Sequence, residues 1–178
     1  MARTVYFDTS VFIELANRKS PIAKELKGLM KELTEERVRI YTSMITVQEM
    51  SVAVYRRGAK SKDTYGDINS MARIYGVTKE VALTAAHREA ELKDISDKQS
   101  VASKKETEDQ KIERICENRR RRWDCFHIAT AQSLGCAVLY STDDKMQARQ
   151  KQLGIRDLKI SSPMATTPSI RGPLFPPA

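Results

Sequence analysis

Short apolar runs of β-branched and aromatic residues recur along this chain, each separated from the next by enough residues for a helix. Val5-Tyr6-Phe7, Val38-Arg39-Ile40-Tyr41, Ile74-Tyr75-Gly76-Val77, Ala137-Val138-Leu139-Tyr140 and the weaker Leu158-Lys159-Ile160 read as five strands. The intervening segments are too long for hairpins. Crossovers of that length join parallel strands, and a parallel sheet has to be covered on both faces. The expected fold class is therefore α/β, a parallel sheet of about five strands between two layers of helices.

The segments between strands carry helical signals. Thr9 or Ser10 is expected to cap a helix that starts with Val11-Phe12-Ile13. Pro21 suits the first turn of a second helix, which carries Ile22, Leu26, Leu29, Met30 and Leu33 at helical spacing. Thr46 is expected to cap a helix with Val47, Met50 and Val54 that stops near Gly58, and a further helix covers about 62–72. From Thr78-Lys79 a long helix is expected to bury Val81, Leu83, Ala86, Ala90, Leu92 and Ile95 on one face. Trp123-Asp124 is expected to open a helix carrying Phe126, Ile128, Ala129, Ala131 and Leu134, with Gly135 as its C-terminal cap. Asp143-Asp144 begins the last helix.

A length of 178 residues fits one domain. Five of the six prolines fall at 163, 168, 173, 176 and 177, so a proline-rich tail over 162–178 is expected to follow a domain over 1–161. Lysine and arginine outnumber aspartate and glutamate by 31 to 23, and a surplus of +8 points to an anionic partner, most commonly nucleic acid. The stretch from Lys98 to Arg122 holds nine basic and five acidic residues, half of that surplus. Three cysteines, with no pair at CxxC spacing, argue against a disulfide framework or zinc ribbon and for reduced thiols in a cytoplasm. The opening Met1-Ala2-Arg3 does not read as a signal peptide, and the apolar stretches fall short of the ~20 residues that span a bilayer. No glycine-rich phosphate loop occurs, which disfavours a nucleotide cofactor.

Four acids mark the candidate site. Asp8 follows the first strand and Asp143 the fourth, and in open α/β sheets the functional crevice lies at the carboxyl ends of the strands. Glu49 lies early in the helix after the second strand, and Asp124 near the start of the helix before the fourth. Ionised carboxylates packed together repel one another unless a cation is present. An oxygen-only set suits Mg2+ or Mn2+, which activates water and neutralises charge on a phosphate.

These segments resemble the motifs of the PIN-domain nucleases. Val5-Tyr6-Phe7-Asp8-Thr9-Ser10 is similar to their opening strand and Asp-Thr-Ser turn. Thr46-Val47-Gln48-Glu49 is similar to their second motif, Asp124-Cys125-Phe126-His127-Ile128-Ala129-Thr130-Ala131 to their Asp-x-x-His-x-Ala-x-Ala helix, and Tyr140-Ser141-Thr142-Asp143-Asp144 to their fourth, with Ser141 in place of threonine. The resemblance covers about residues 3–160 and is greatest for VapC-type toxins of toxin–antitoxin pairs. It implies a flavodoxin-like αβα sandwich with sheet order 3-2-1-4-5, a homodimer, a cognate antitoxin, and metal-dependent cleavage of RNA to 5′-phosphate and 3′-hydroxyl ends. It places the catalytic, metal-binding acids at Asp8, Glu49, Asp124 and Asp143, with Ser10 and Ser141 supporting the acids or the metal shell. The stretch over 94–122 and the tail depart from the usual toxin pattern.

Other residues have plainer readings. Asp144 supports the site or caps its helix. His127 stands one turn after Asp124 but on the apolar face, as a packed, hydrogen-bonded core histidine. Glu14 is expected at the surface. Arg119, Arg120, Arg121 and Arg122 adjoin the acids and are expected either to contact RNA phosphates or simply to be solvated. Trp123 is read as a core anchor or as a platform for a splayed base. The helices over 20–36 and 45–57 are expected to supply core and dimer surface. A dehalogenase-type phosphatase would need a second aspartate where Ser10 stands. A degenerate domain that binds RNA or acts as a scaffold without cutting is the remaining alternative.

Overall fold

The computed structural model describes residues 3–17, 19–56, 63–99 and 107–163. The central strand β1 (Thr4–Phe7) leads into α1 (Thr9–Ala16), followed by α2 (Ala23–Glu35), β2 (Arg39–Ser43), α3 (Met44–Arg56) and α4 (Thr64–Asn69). Then come β3 (Arg73–Tyr75), α5 (Lys79–Gln99), α6 (Glu108–Ser133), β4 (Val138–Tyr140), α7 (Asp144–Gln152) and β5 (Lys159–Ser161). The five strands form one all-parallel sheet in the order β3-β2-β1-β4-β5. This is the α/β sandwich and strand order expected from the sequence.

Alternation along the strands divides the core between the two faces. Val5 and Phe7 of β1 join Val138 and Tyr140 of β4 on one face, packed under Val11, Phe12, Leu26, Leu29, Leu33 and Ile68 from the helices. Tyr6 and Leu139 point the other way, against Ile128 and Ala131 of α6 and Met146 of α7. The α2 leucines repeat at helical spacing and are almost fully buried, each worth about 2 kcal/mol of apolar transfer. A third cluster, Val81, Ala85 and Leu92 with Cys125 and Ala129, packs α5 on the outside of α6.

The structure corrects several local expectations. The cap of α1 is Asp8, whose carboxylate accepts from the Val11 amide, rather than Thr9 or Ser10. Thr46 does not cap α3; it is a fully buried residue inside it, its hydroxyl 2.8 Å from that of Thr42. The buried face of α5 excludes Leu83, which is 62% exposed, together with Ala86 and Ala90, because the helix packs on α6 through Val81, Ala85 and Leu92. The helix bearing Asp124 opens at Glu108, not at Trp123. Thr107 and Gln110 form a reciprocal capping box there, so Asp124 lies deep inside α6 rather than at its end. Gly135 follows the end of α6 with a φ of 61°, the left-handed geometry its position predicted. The expected stop near Gly58, and the tail from residue 164, lie outside the described residues. All three cysteines are unpaired, and among the described residues no helix is long and apolar enough to cross a membrane.

Candidate active site

Parallel pairing of β1 with β4 sets Phe7 beside Tyr140, so the chain leaves both strands at neighbouring points. The Asp8 amide extends the ladder by donating to the Tyr140 carbonyl at 3.2 Å. Two serines then tie the two exits together. Ser10 Oγ donates to Asp8 Oδ1 at 2.6 Å and accepts from the Thr142 amide at 2.8 Å. Ser141 Oγ lies 3.3 Å from Ser10 Oγ and accepts from the Asp143 amide at 3.0 Å. Asp143 in turn caps α7, accepting from the Lys145 amide at 2.8 Å.

On the opposite side β2 joins the arrangement. The Thr42 hydroxyl donates to the Phe7 carbonyl at 2.8 Å. The Thr9 hydroxyl lies 3.3 Å from that of Thr46 and donates to Glu49 of α3. His127 of α6 is 3% exposed; its Nδ1 meets the Tyr6 hydroxyl at 2.8 Å and its Nε2 lies 3.3 Å from Glu49 Oε2. It is thus a hydrogen-bonded core histidine, as its apolar face suggested, but one that also holds a candidate acid.

Asp8, Glu49, Asp124 and Asp143 all line one cavity of about 270 Å3, together with Thr9, Ser10 and His127. Asp8 and Asp124 are buried, Glu49 is half-buried and Asp143 stands exposed at the rim. Burial pushes the Asp8 pKa up, although the His127 charge and the Ser10 and Ser141 hydroxyls pull it down. Burial likewise pushes Asp124 up to about 6, against the pull of the Arg149 guanidinium. Glu49 is held below the usual glutamate range, because its hydrogen bond to His127 and the histidine charge outweigh desolvation. Desolvation would lower the His127 pKa, but the bond to Glu49 and the charges of Asp8, Glu49 and Asp124 raise it.

The donor chemistry of this cavity fits a hard divalent cation. All four acids offer oxygen, and burial makes two of them, Asp8 and Asp124, costly to ionise, a cost that a bound cation would offset. Among the described residues, however, no three acid, histidine or cysteine side chains close into a cage as placed. Glu49 is engaged by Thr9 and His127. Asp124 Oδ2 accepts from Arg149 Nε at 3.2 Å, and Arg149 Nη2 donates to Glu117 at 2.7 Å. Nothing in the sequence singled out Arg149, and Thr9 was expected only as a helix cap. Thr9 stands within the Asp-Thr-Ser turn, but Arg149 lies in a uniformly polar helix.

The four arginines do not form one strip. Successive residues of a helix point about 100° apart, so the run is distributed around α6. Arg120 lines the acidic cavity beside Trp123. Arg119 is exposed. Arg121 is buried and faces a different cavity. Arg122 pairs with Glu89 of α5 at 3.2 Å. Trp123 is half-buried, its ring centroid 6.0 Å from that of Phe126, and it borders the cavity as well as packing on its own helix. Asp144 is exposed in the first turn of α7 and Glu14 is half-buried in α1; neither lines the cavity.

The family model for the PIN domain matches residues 5–152. No curated protein matches the chain by sequence. Similar solved structures include VapBC2 of Rickettsia felis bound to a DNA fragment from its promoter, 13% identical with a TM-score of 0.56 over 89% of this chain and 98% of that one. A toxin–antitoxin complex from Klebsiella pneumoniae is 19% identical, with a TM-score of 0.54 over 90% and 98%. VapBC-1 of nontypeable Haemophilus influenzae is 15% identical, with a TM-score of 0.51 over the same shares. The match to the domain model runs from the first strand through the last helix and takes in four of the five strands, and the chain belongs to the PIN domain family.

Proposed function

We propose that this protein is a divalent-cation-dependent endoribonuclease and the toxin of a toxin–antitoxin pair. The observation that carries this reading is the convergence of Asp8, Glu49, Asp124 and Asp143, from four separate elements, on one cavity bordered by Arg120. Asp8, Glu49, Asp124 and Asp143 are the residues that would hold Mg2+ or Mn2+, which supplies an activated water and neutralises charge on the phosphate. The rest of the site orients them. Ser10 and Ser141 fix Asp8 and the turn bearing Asp143, and Thr9 and His127 fix Glu49. Arg120 holds the RNA phosphate, exposed Arg119 extends the basic surface, and Trp123 offers its ring to a base.

The partner reading has two supports. One of the similar structures named above is a toxin–antitoxin complex. An apolar groove of about 240 Å3, lined by Phe12, Leu15, Met50, Val54 and Ile68 between α1, α3 and α4, offers a seat for a peptide of an antitoxin. A homodimer in a cytoplasm completes the proposal.

Incubation of purified protein with total RNA, with Mg2+ or Mn2+ and with chelator, beside Asp8→Asn, tests the activity. Cutting that needs the cation and disappears in the variant is expected. Metal-independent cutting, or cutting retained by the variant, refutes the mechanism. A second reading, a domain that binds RNA without cutting it, draws on one observation: Arg149 and His127 occupy Asp124 and Glu49. Stoichiometric RNA binding with no cleavage in either cation selects it.

A further inference from the structure

Directly beside the acidic cavity lies a second one, of about 180 Å3, between α5, α6 and α7. Leu92 and Ile95 form its apolar side, and Glu117, Arg121, Arg149 and Gln152 its polar side. The two cavities are divided by one ion pair. Asp124 lines the acidic cavity, Arg149 lines this one, and they meet at 3.2 Å.

Arg121 is the anomaly here. It is only 8% exposed. Its Nη2 donates to Asn118 Oδ1 at 3.0 Å, but its Nε–H is buried and meets no acceptor. A charged donor removed from water without an acceptor is costly, and native structures seldom keep one without a use. The neighbourhood also carries surplus positive charge. Glu117 is met by Arg149 and by Lys145, each at 2.7 Å, and Asp124 by Arg149, so Arg121 adds a third cation to two carboxylates already engaged. The donor lacks an anion, and guanidinium forks match the oxygens of phosphate.

We propose that this cavity binds a phosphate group, with Arg121 as its donor; Arg149 beside it is held by Asp124, Gln152 and Glu117 and adds positive charge to the wall. A water takes about 30 Å3, so the space accommodates a phosphate with a few waters around it. Inorganic phosphate and the terminal phosphate of a nucleic-acid strand offer the same chemistry. The site stands outside the acidic cavity and does not depend on the nuclease reading.

The test is calorimetric titration of the full chain with inorganic phosphate, in chelator and at constant ionic strength set by chloride. Saturable one-to-one binding is expected, weakened about tenfold or more by Arg121→Gln. Lys111→Gln removes an equal charge from an exposed position of the same helix and should change the affinity by less than about twofold. Ser96 lines the cavity and is exposed, so Ser96→Trp fills the space without altering any charge and is also expected to abolish binding, which covers a folding defect in the Arg121 variant. A 5′-phosphorylated dinucleotide and its 5′-hydroxyl twin separate the two sources. Tighter binding of the phosphorylated form than of inorganic phosphate assigns the strand end; binding of inorganic phosphate alone assigns the free ion. No saturable binding over chloride, or binding that both cavity variants leave unchanged, overturns the proposal.

Discussion

Asp124→Asn removes a carboxyl whose pKa burial has pushed from 3.8 to about 6, with the Arg149 guanidinium only partly offsetting it. Such a group binds its proton more tightly in the folded chain than in the unfolded one. Its contribution to stability is therefore greatest below pH 4 and declines as pH rises through 6, the reverse of the usual aspartate. At ~1.36 kcal/mol for each unit between folded and unfolded pKa, the full loss is ~3 kcal/mol once both states are ionised. Close to half of it, about 1 kcal/mol, falls between pH 5 and pH 7.5. Asparagine mimics the protonated acid and keeps a partner for Arg149, so it escapes this loss. Urea denaturation of wild type and variant at several pH values, in chelator, reads the effect. Subtracting one curve from the other leaves the Asp124 titration together with its coupling to His127. The variant is expected to gain about 1 kcal/mol on the wild type between pH 5 and pH 7.5. Added Mn2+ at pH 7.5 should then restore the wild type and leave the variant unmoved. Parallel wild-type and variant curves across that range would refute the claim that burial holds the Asp124 carboxyl well above the usual aspartate range.

Ser10→Ala removes the hydroxyl that links Asp8 to the turn after β4, and is expected to cost about 1–2 kcal/mol in the same denaturation assay. Glu49→Gln should lower the His127 pKa, which is raised by that glutamate against desolvation; imidazole resonances followed by NMR across pH 5 to 9 report it. The His127–Glu49 interaction stabilises the fold below the histidine's unfolded pKa and is lost as pH rises through the folded one, so the variant's stability should vary less with pH there. Leu26→Ala, at a fully buried site of α2, is expected to cost ~3 kcal/mol with no change in metal or RNA binding, measured by urea midpoint.

Much of the site is written locally. Asp8 and Asp143 directly follow strands, and parallel pairing brings the ends of adjacent strands together. The serines beside them occupy fixed positions in the same turns. What was misread, α6, hid its start in a highly charged stretch that resembles a solvated surface. Its start was nevertheless written as Thr107-Glu108-Asp109-Gln110, a capping box legible without coordinates. The buried face of α5 was misplaced for another reason: periodicity shows that a helix has an apolar side, but its neighbour decides which residues face inward, and α5 packs on α6.

The chain's own letters thus determined the alternation of strands and helices and the acids that reach the crevice. Those features depend on residues next to one another, whose spacing and capping act over a few positions. The tertiary structure alone decided how Glu49 and Asp124 are partnered. Glu49 and His127 are 78 positions apart, Asp124 and Arg149 are 25, and no local preference selects either pair. The same docking of α7 against α6 that buries Arg149 sets it on Asp124, and the register of α5 against α6 leaves Arg121 beside an open cavity. A buried charge is satisfied by whatever packing brings to it, and packing is a property of the assembled layers.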